Sequence, residues 1–270
     1  MRSRARPGPR ALAFKFNSIG RAGIWIVAVL LLGGCALRAP RILRPVGAGE
    51  LLDGLAARRA AVTTLRARAR LRSGLSGLWT REAIVVRRPD GVRIDVLSPF
   101  GLALAIGVRG DLLWAYPPAR GTRYEGTASP ANLVRFLGAP VEVGDVVDLL
   151  CGVPPARTPV GRASVVTTRD GEYRLTVPLE RGEQTIWFAG EAPVARRAEE
   201  TRDGRAVFHA AFDDYRDGFP HVVDVATADG PGARLTYDAV ELNIAIASDV
   251  FAPPPAPRVL PLDAVPAEAP

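Results

Sequence analysis

The spacing of apolar residues changes once, early in the chain. Over residues 50–62 apolar residues recur every three to four positions, which predicts one amphipathic helix. From residue 65 onward the period becomes two: apolar residues alternate with arginines over 65–71, and with Arg93 and Asp95 over 92–96. This alternation predicts half-buried antiparallel strands, and turn residues such as those at 89–91 and 109–111 link them as hairpins.

A helical interruption divides the strands into two groups. Ser129 is suited to cap a helix, Pro130 to occupy its first turn and Gly138 to end it, and a second short helix is predicted over 144–151. Strands then resume at 162–169, 172–178, 184–188, 194–200, 206–212, 219–226 and 234–246, which makes about eleven to twelve strands in all. A mainly β (α+β) chain with so few helices must curl its sheet into a barrel or fold it into a sandwich to bury one face.

The first 34 residues have the order of a secretory signal: positive charges, a nine-residue apolar run, then small residues before Cys35. We therefore predict a cleaved signal peptide over 1–34. The run Leu32-Gly33-Gly34-Cys35 resembles a bacterial lipoprotein signal, which implies a diacylglyceryl thioether on Cys35 and anchoring by lipid. The alternative is an ordinary cysteine that follows a signal cleaved by the general signal peptidase. Ala36 after the cysteine favours the periplasmic face of the outer membrane.

Charge and composition narrow the function classes. Six of the 35 Lys and Arg residues and none of the 28 acidic residues fall within the first 34 positions, so the rest of the chain is nearly neutral. A nucleic-acid partner would require a clustered basic face, and the sequence shows no such cluster. We therefore expect no nucleic-acid partner. Residues 35–48 are predicted to be a lipidated tether, 49–252 one domain, and 253–270 a Pro-rich disordered tail.

Candidate catalytic groups are few. Cys151 follows a short apolar helix, where a buried inert thiol is favoured over a nucleophile, and His209 and His221 fall in predicted strands with no local partner. Two histidines do not form a metal triad, and the segment 74–77 lacks the spacing of a hydrolase nucleophile elbow. The sequence therefore predicts a protein that is not an enzyme and needs no cofactor or metal.

Four short motifs, in this order, resemble the LolA/LolB-like family of lipoprotein-localisation proteins, in particular a poorly characterised LolB-like branch. They are Ser98-Pro99-Phe100-Gly101, Tyr124-Glu125-Gly126, the segment 149–154 and the segment 249–253. The resemblance covers about residues 50–252. It implies a single strongly curved antiparallel sheet that forms an open half-barrel, with an N-terminal helix and a mid-chain helical lid over an apolar cavity for acyl chains.

The resemblance also implies site residues. The cavity is expected to be lined by apolar residues of one sheet face: Val92, Ile94, Val96, Leu102, Leu104, Ile106, Trp114, Phe208, Phe212, Leu242 and Ile244. In a solidly packed sandwich the same residues would be core. Phe100 matches the position of an exposed leucine that helps LolB place its cargo in the membrane. Its ring could instead fold back onto the sheet, and the sequence does not decide between the two.

Two functions follow as hypotheses. In the first, a monomeric outer-membrane lipoprotein binds acyl chains of lipoproteins or lipids and assists their localisation or insertion, with a periplasmic LolA-like carrier as a possible donor. In the second, a non-catalytic structural or assembly lipoprotein docks an envelope protein through an edge strand or the Pro-rich tail. The two differ in whether the interior of the fold is empty or filled.

Overall fold

The computed structural model describes residues 44–74, 77–137, 141–190, 193–228, 230 and 232–262. The predicted signal peptide, Cys35, most of the predicted tether and residues 263–270 lie outside these ranges. Among the described residues, no helix is both long and apolar enough to cross a bilayer.

Three α-helices, fourteen strands and two short 3-10 helices, Pro118–Arg120 and Ser248–Phe251, account for the regular structure in those ranges. The helices are α1 (Ala48–Ala61), α2 (Pro130–Leu137) and α3 (Val143–Leu150). The strands before the α2–α3 excursion are β1 (Thr64–Ser73), β2 (Trp79–Arg87), β3 (Gly91–Ser98), β4 (Gly101–Arg109), β5 (Leu112–Tyr116) and β6 (Thr122–Thr127). Those after it are β7 (Ser164–Thr167), β8 (Glu172–Leu179), β9 (Gly182–Ala189), β10 (Val194–Arg202), β11 (Arg205–Arg216), β12 (Phe219–Thr227), β13 (Ala233–Leu242) and β14 (Arg258–Pro261).

All fourteen strands form one sheet, in the order β14-β6-β5-β4-β3-β2-β1-β13-β12-β11-β10-β9-β8-β7. Two meanders, β1–β6 and β7–β13, are joined where β1 pairs with β13, and every pairing is antiparallel except that of β14 with β6. The end strands β7 and β14 do not pair with each other, so the curved sheet stays open. The predicted open half-barrel with helices is thereby confirmed.

The helices cover the apolar face of this sheet. Directly opposite residues in antiparallel strands share a face, and the pairs Leu65–Val86 and Ala67–Ile84 place the alternating apolar residues of β1 and β2 on it. One core cluster packs α2 and α3 against β1–β6 and β11–β13, and a second packs α1 against β8–β10. The arginines of β1 project from the opposite face.

The C-terminal segment differs from the predicted disordered tail. Residues 258–261 form β14, which pairs with β6 through Leu260 opposite Tyr124. Leu262 is buried in the core cluster beneath α2 and α3. The high proline content suggested disorder, yet Val259 and Leu260 supply backbone pairing and Leu262 supplies apolar burial, so the ordered domain continues at least to residue 262.

Candidate functional site

Helix α3 is fixed over the sheet by a buried carboxylate. Asp148 accepts a hydrogen bond of 3.0 Å from Nε of Arg59 in α1 and one of 2.6 Å from a terminal nitrogen of Arg88, which follows β2. The backbone N–H of Ala156 donates to its other oxygen at 3.2 Å. A buried charge must be paired in this way to be tolerated. Asp148 therefore joins α3 to α1 and to the sheet.

Two further contacts hold α3. Arg157 pairs with Asp145 of α3 at 2.7 Å and with the buried Glu200 of β10 at 2.7 Å. The buried hydroxyl of Tyr237 donates to the carbonyl of Leu150 at 2.8 Å, and burial raises the pKa of this phenol well above its ordinary value. The helix is thus connected to strands on both sides of the β1–β13 junction.

A cavity of about 160 Å³ lies between α3 and the sheet. Hydrocarbon side chains form nearly all of its lining, and the lining residues are Leu71, Glu82, Ile84, Ile94, Val141, Val146, Leu149, Leu150, Val223, Val225, Thr227, Ala233 and Leu235. An apolar cavity of roughly 150 Å³ holds a benzene-sized molecule. The cavity therefore has room for only part of an acyl chain.

A second cavity, of about 30 Å³, lies under α2. Its lining comprises Val92, Ile94, Ile106, Gly107, Val108, Leu113, Leu133, Phe136, Val143 and Val146. Ile94 of β3 and Val146 of α3 belong to both linings, so the two cavities are neighbours.

The structure places the predicted cavity residues in three different settings. Val92, Ile94 and Ile106 line the second cavity, and Ile94 also lines the first. Phe208, Phe212 and Leu242 belong to the core cluster that surrounds the first cavity. Val96 and Leu104 are half-buried and directly opposite each other on the same face, and the half-buried Leu102 lies opposite Leu97 beyond a bulge.

The prediction that Trp114 lines the cavity is wrong, because this side chain is buried on the face of the sheet that points away from the cavity. Trp114 lies directly opposite Gly107 in the register, and the pairs on either side of it face inward. Its ring covers Gly107 so closely that a Cβ added to this glycine would lie 2.2 Å from the nearest ring atom. The indole N–H donates to the carbonyl of Phe251 at 3.1 Å. The C-terminal segment around Phe251 covers this tryptophan from outside.

The prediction that Ile244 lines the cavity is also wrong. The predicted strand 234–246 ends earlier, since β13 stops at Leu242 and Asn243 adopts a left-handed conformation with φ 55°. The side chain of Asn243 accepts a hydrogen bond from the backbone N–H of Thr63 at 2.9 Å and turns the chain away. Ile244 therefore follows the sheet and is not part of its apolar face.

Two polar residues of the first cavity were not predicted from the sequence. Glu82 is 2% exposed; its Oε1 accepts a hydrogen bond of 2.6 Å from the hydroxyl of Thr80, and burial raises the pKa of its carboxyl. Its Oε2 and the hydroxyl of Thr227 are buried and have no hydrogen-bond partner within the described part of the chain. The signal was present, because alternation along β2 places Glu82 on the same face as Ile84.

Phe100 is 99% exposed, so its ring does not fold back onto the sheet. The hydroxyl of Ser98 accepts from the Phe100 N–H at 3.2 Å and donates to the Gly101 carbonyl at 3.0 Å, which fixes the turn. The strand register brings three more exposed apolar residues to the same end of the sheet. Together we call them the apolar tip: Leu78, Trp79, Leu97 and Phe100.

The described residues show no group of three or more potential metal ligands. Cys151 is buried, and burial raises the pKa of its thiol to about 11, which leaves it protonated and unreactive near neutral pH. His209 lies 3.5 Å from Glu199 on the surface, far along the sequence from this thiol.

Fold and cavity together define a class: an open β half-barrel that encloses an apolar space under a helical cover. No protein-family model matches the chain, and no curated protein matches it. Among solved structures, it is similar to a DUF1329 family protein from Desulfovibrio piger, with 12% identity and a TM-score of 0.51 over 74% of this chain and 94% of that chain.

The chain is also similar to a LolA superfamily protein from Nitrosomonas europaea, with 14% identity and a TM-score of 0.49 over 77% of this chain and 99% of that chain. At identities this low, structural likeness concerns the fold alone. The half-barrel fold is therefore shared with the Desulfovibrio protein, and the function must be argued from the cavity and the surface of this chain.

Proposed function

We propose that this protein is a lipid-anchored acyl-chain acceptor of the bacterial outer membrane. It binds acyl chains of lipoproteins or other lipids in the cavity between α3 and the sheet and assists their localisation or insertion. It is non-catalytic, acts as a monomer on the periplasmic face, is held to the membrane through lipid on Cys35, and receives cargo from a LolA-like carrier.

The apolar lining of the cavity is the observation that carries this proposal. A cavity lined mainly by hydrocarbon binds apolar molecules, because an apolar ligand regains the dispersion contacts that the empty space lacks. A structural sandwich needs no such space, since protein interiors are close-packed. Binding a long chain requires the two cavities to join, and we propose that they join at Ile94 and Val146, which line both.

The apolar tip supports delivery to a membrane. An aromatic ring at 99% exposure gains free energy by leaving water, and Trp79, 50% exposed, suits the interface between headgroups and acyl chains. Arg72 and Arg81 are exposed beside the tip, opposite Trp79 and Leu97 in the strand register. Each such cation contributes about 1 kcal/mol of attraction to an anionic lipid surface.

Lipid uptake tests this proposal directly. The Cys35→Ala chain would be sent to the periplasm with a cleavable signal and purified, and native mass spectrometry with lipid extraction would be used to look for bound acyl chains. The protein would then be titrated with a synthetic triacylated lipopeptide. We expect co-purified or added lipid at near one-to-one stoichiometry.

Matched variants locate the binding site. Ala233→Phe fills the first cavity from β13 and should abolish uptake, whereas Ala239→Phe on the same strand should not, because Ala239 lies opposite Arg68 on the outer face. Uptake that is equal in the two variants would place the lipid outside the cavity and contradict the proposal.

The open sheet favours one other function, that of an assembly lipoprotein. The end strands β7 and β14 carry exposed valines, Val166 at 51% and Val259 at 47%, and an edge strand can pair with a strand of another protein. A protein that copurifies empty and does not take up added lipopeptide would favour this function over the first.

A further inference from the structure

The lining of the first cavity contains a buried carboxyl group that is only half satisfied. Glu82 lies on β2 among Leu71, Ile84 and Ile94, which line the same space. Oε1 is engaged by the hydroxyl of Thr80, and Oε2 has no hydrogen-bond partner within the described residues although it is inaccessible to solvent. Buried polar atoms are nearly always paired, so an orphaned one calls for an explanation.

The fold alone does not require an acid here. The paired residues on either side are Ala69 on β1 and Val96 on β3, and the next inward position along β2 is the fully buried Ile84. A leucine would fill this position without leaving an unpaired oxygen. Burial has the largest effect on the pKa of Glu82 and raises it, the hydrogen bond from Thr80 lowers it and the charge of Asp95 raises it, so the net result is a raised pKa.

We infer that Glu82 is the polar recognition group of the cavity and selects acyl ligands that carry an uncharged amide or hydroxyl close to the acyl chain. This inference rests on the proposed acyl-binding function and names its ligand class. An ionised Glu82 accepts a hydrogen bond from an amide N–H or a hydroxyl, and a protonated Glu82 donates to the oxygen of either group. The ionised form therefore selects a ligand that has a donor, whereas the protonated form also donates to the carbonyl oxygen of an ester.

The ionised carboxyl also disfavours anionic ligands. A fatty-acid carboxylate or a phosphate beside it would face a like charge, and the surrounding hydrocarbon screens that repulsion poorly. The hydroxyl of Thr227 is the other unpaired polar atom in the lining, and a hydroxyl can donate to a ligand carbonyl. An amide-linked acyl chain offers the donor and the acceptor that this lining lacks.

Three probes with the same ten-carbon acyl chain test the inference by calorimetric titration: N-methyldecanamide, methyl decanoate and decanoate. The amide and the ester differ only by N–H in place of O. At a pH high enough to ionise Glu82, we expect the wild-type protein to bind the amide at least about tenfold more tightly than the ester, because only the amide has an N–H to donate, and to bind decanoate most weakly. Glu82→Leu should bind the ester and the amide equally.

If Glu82→Leu does not fold, Glu82→Gln provides the test of the inference. It keeps a donor and an acceptor but loses the charge, so it should retain the preference for the amide and gain affinity for decanoate by about tenfold or more. Thr227→Val is the control for the second polar atom and should leave the preference for amide over ester in place.

The outcomes separate the two proposals. A wild-type protein that binds all three probes equally would leave acyl binding standing and overturn the role of Glu82. A preference that survives in Glu82→Leu, or that disappears only in Thr227→Val, would also overturn it. A wild-type protein that binds none of the probes would contradict the acyl-binding function itself, and the inference with it.

Discussion

Arg59 of α1 and Asp148 of α3 are 89 positions apart in the chain, yet Nε of the arginine lies 3.0 and 3.1 Å from the two carboxylate oxygens. The same arginine donates to the carbonyl of Pro154 at 3.0 Å. Asp148 also binds Arg88, so one buried carboxylate joins two helices and the turn after β2. Ion pairs therefore hold α3 over the first cavity. Helix α2 instead contributes the apolar residues Leu133 and Phe136 to the lining of the second cavity.

Removing Asp148 should destabilise the fold strongly. In Asp148→Ala, two partly buried guanidinium groups lose their counter-ion, and such losses cost about 3 kcal/mol or more. Urea unfolding measures the difference in free energy. Asp53→Ala, an exposed change on α1, serves as the control and should stay within about 0.5 kcal/mol of wild type. Similar losses in the two variants would argue against the buried ion-pair network.

Phe100 should matter for delivery and not for stability. Because its side chain contacts solvent and not the core, Phe100→Glu should change the free energy of unfolding by less than about 0.5 kcal/mol. The same change should abolish transfer of bound lipopeptide to liposomes, since a carboxylate does not enter hydrocarbon. Phe100→Leu is the matched control and should keep most of the transfer activity. Undiminished transfer by the glutamate variant would remove the tip from the mechanism.

Glu82 should make stability depend on pH in an unusual direction. Burial raises the pKa of Glu82 above its ordinary value of 4.5, so its contribution to stability is full below about 4.5 and is lost as pH rises through the folded-state pKa. The free energy of unfolding of wild type minus that of Glu82→Gln should therefore fall between pH 4 and pH 8. Urea titrations across this range provide the measurement.

Glu200 supplies a comparison of opposite sign. Burial alone would raise its pKa, but hydrogen bonds and charge from Arg157 and Arg202 outweigh burial and lower it. Its contribution is present above about 4.5 and is lost as pH falls through the lowered pKa. The difference between wild type and Glu200→Gln should therefore rise with pH. Parallel pH profiles for the two variants would contradict the assigned pKa directions.

Gly107 should be sensitive to a single added methyl group. A Cβ there would lie 2.2 Å from the ring of Trp114, which is held by its hydrogen bond to Phe251. Gly107→Ala should therefore cost about 2 kcal/mol through overpacking. Gly54→Ala in α1 meets nothing within 4 Å and should instead stabilise the helix by about 0.5–1 kcal/mol. A neutral effect at Gly107 would mean that Trp114 does not cover the outer face there.

The sequence by itself determined the succession of strands and helices and the presence of one apolar face. Alternation along a strand and the spacing along a helix are local properties, and cap residues such as Pro130 mark the ends. The same alternation was enough to place Glu82 inward. A long β chain with few helices had to curl its sheet into a barrel or fold it into a sandwich, and the open half-barrel was predicted from the family resemblance alone.

The tertiary structure decided the details of the site. Every residue from Leu112 to Tyr116 is apolar, so the pattern there carries no alternation. The prediction placed Trp114 on the cavity face, and the register against Gly107 shows that it faces outward. The prolines after Ala252 led to a prediction of disorder, but this segment contains β14, which becomes stable only by pairing with β6. The cavity likewise depends on where α3 lies, and contacts across 60 to 89 residues fix that position. Non-local pairing has no signature in a local pattern, because its free energy arises only when distant segments meet.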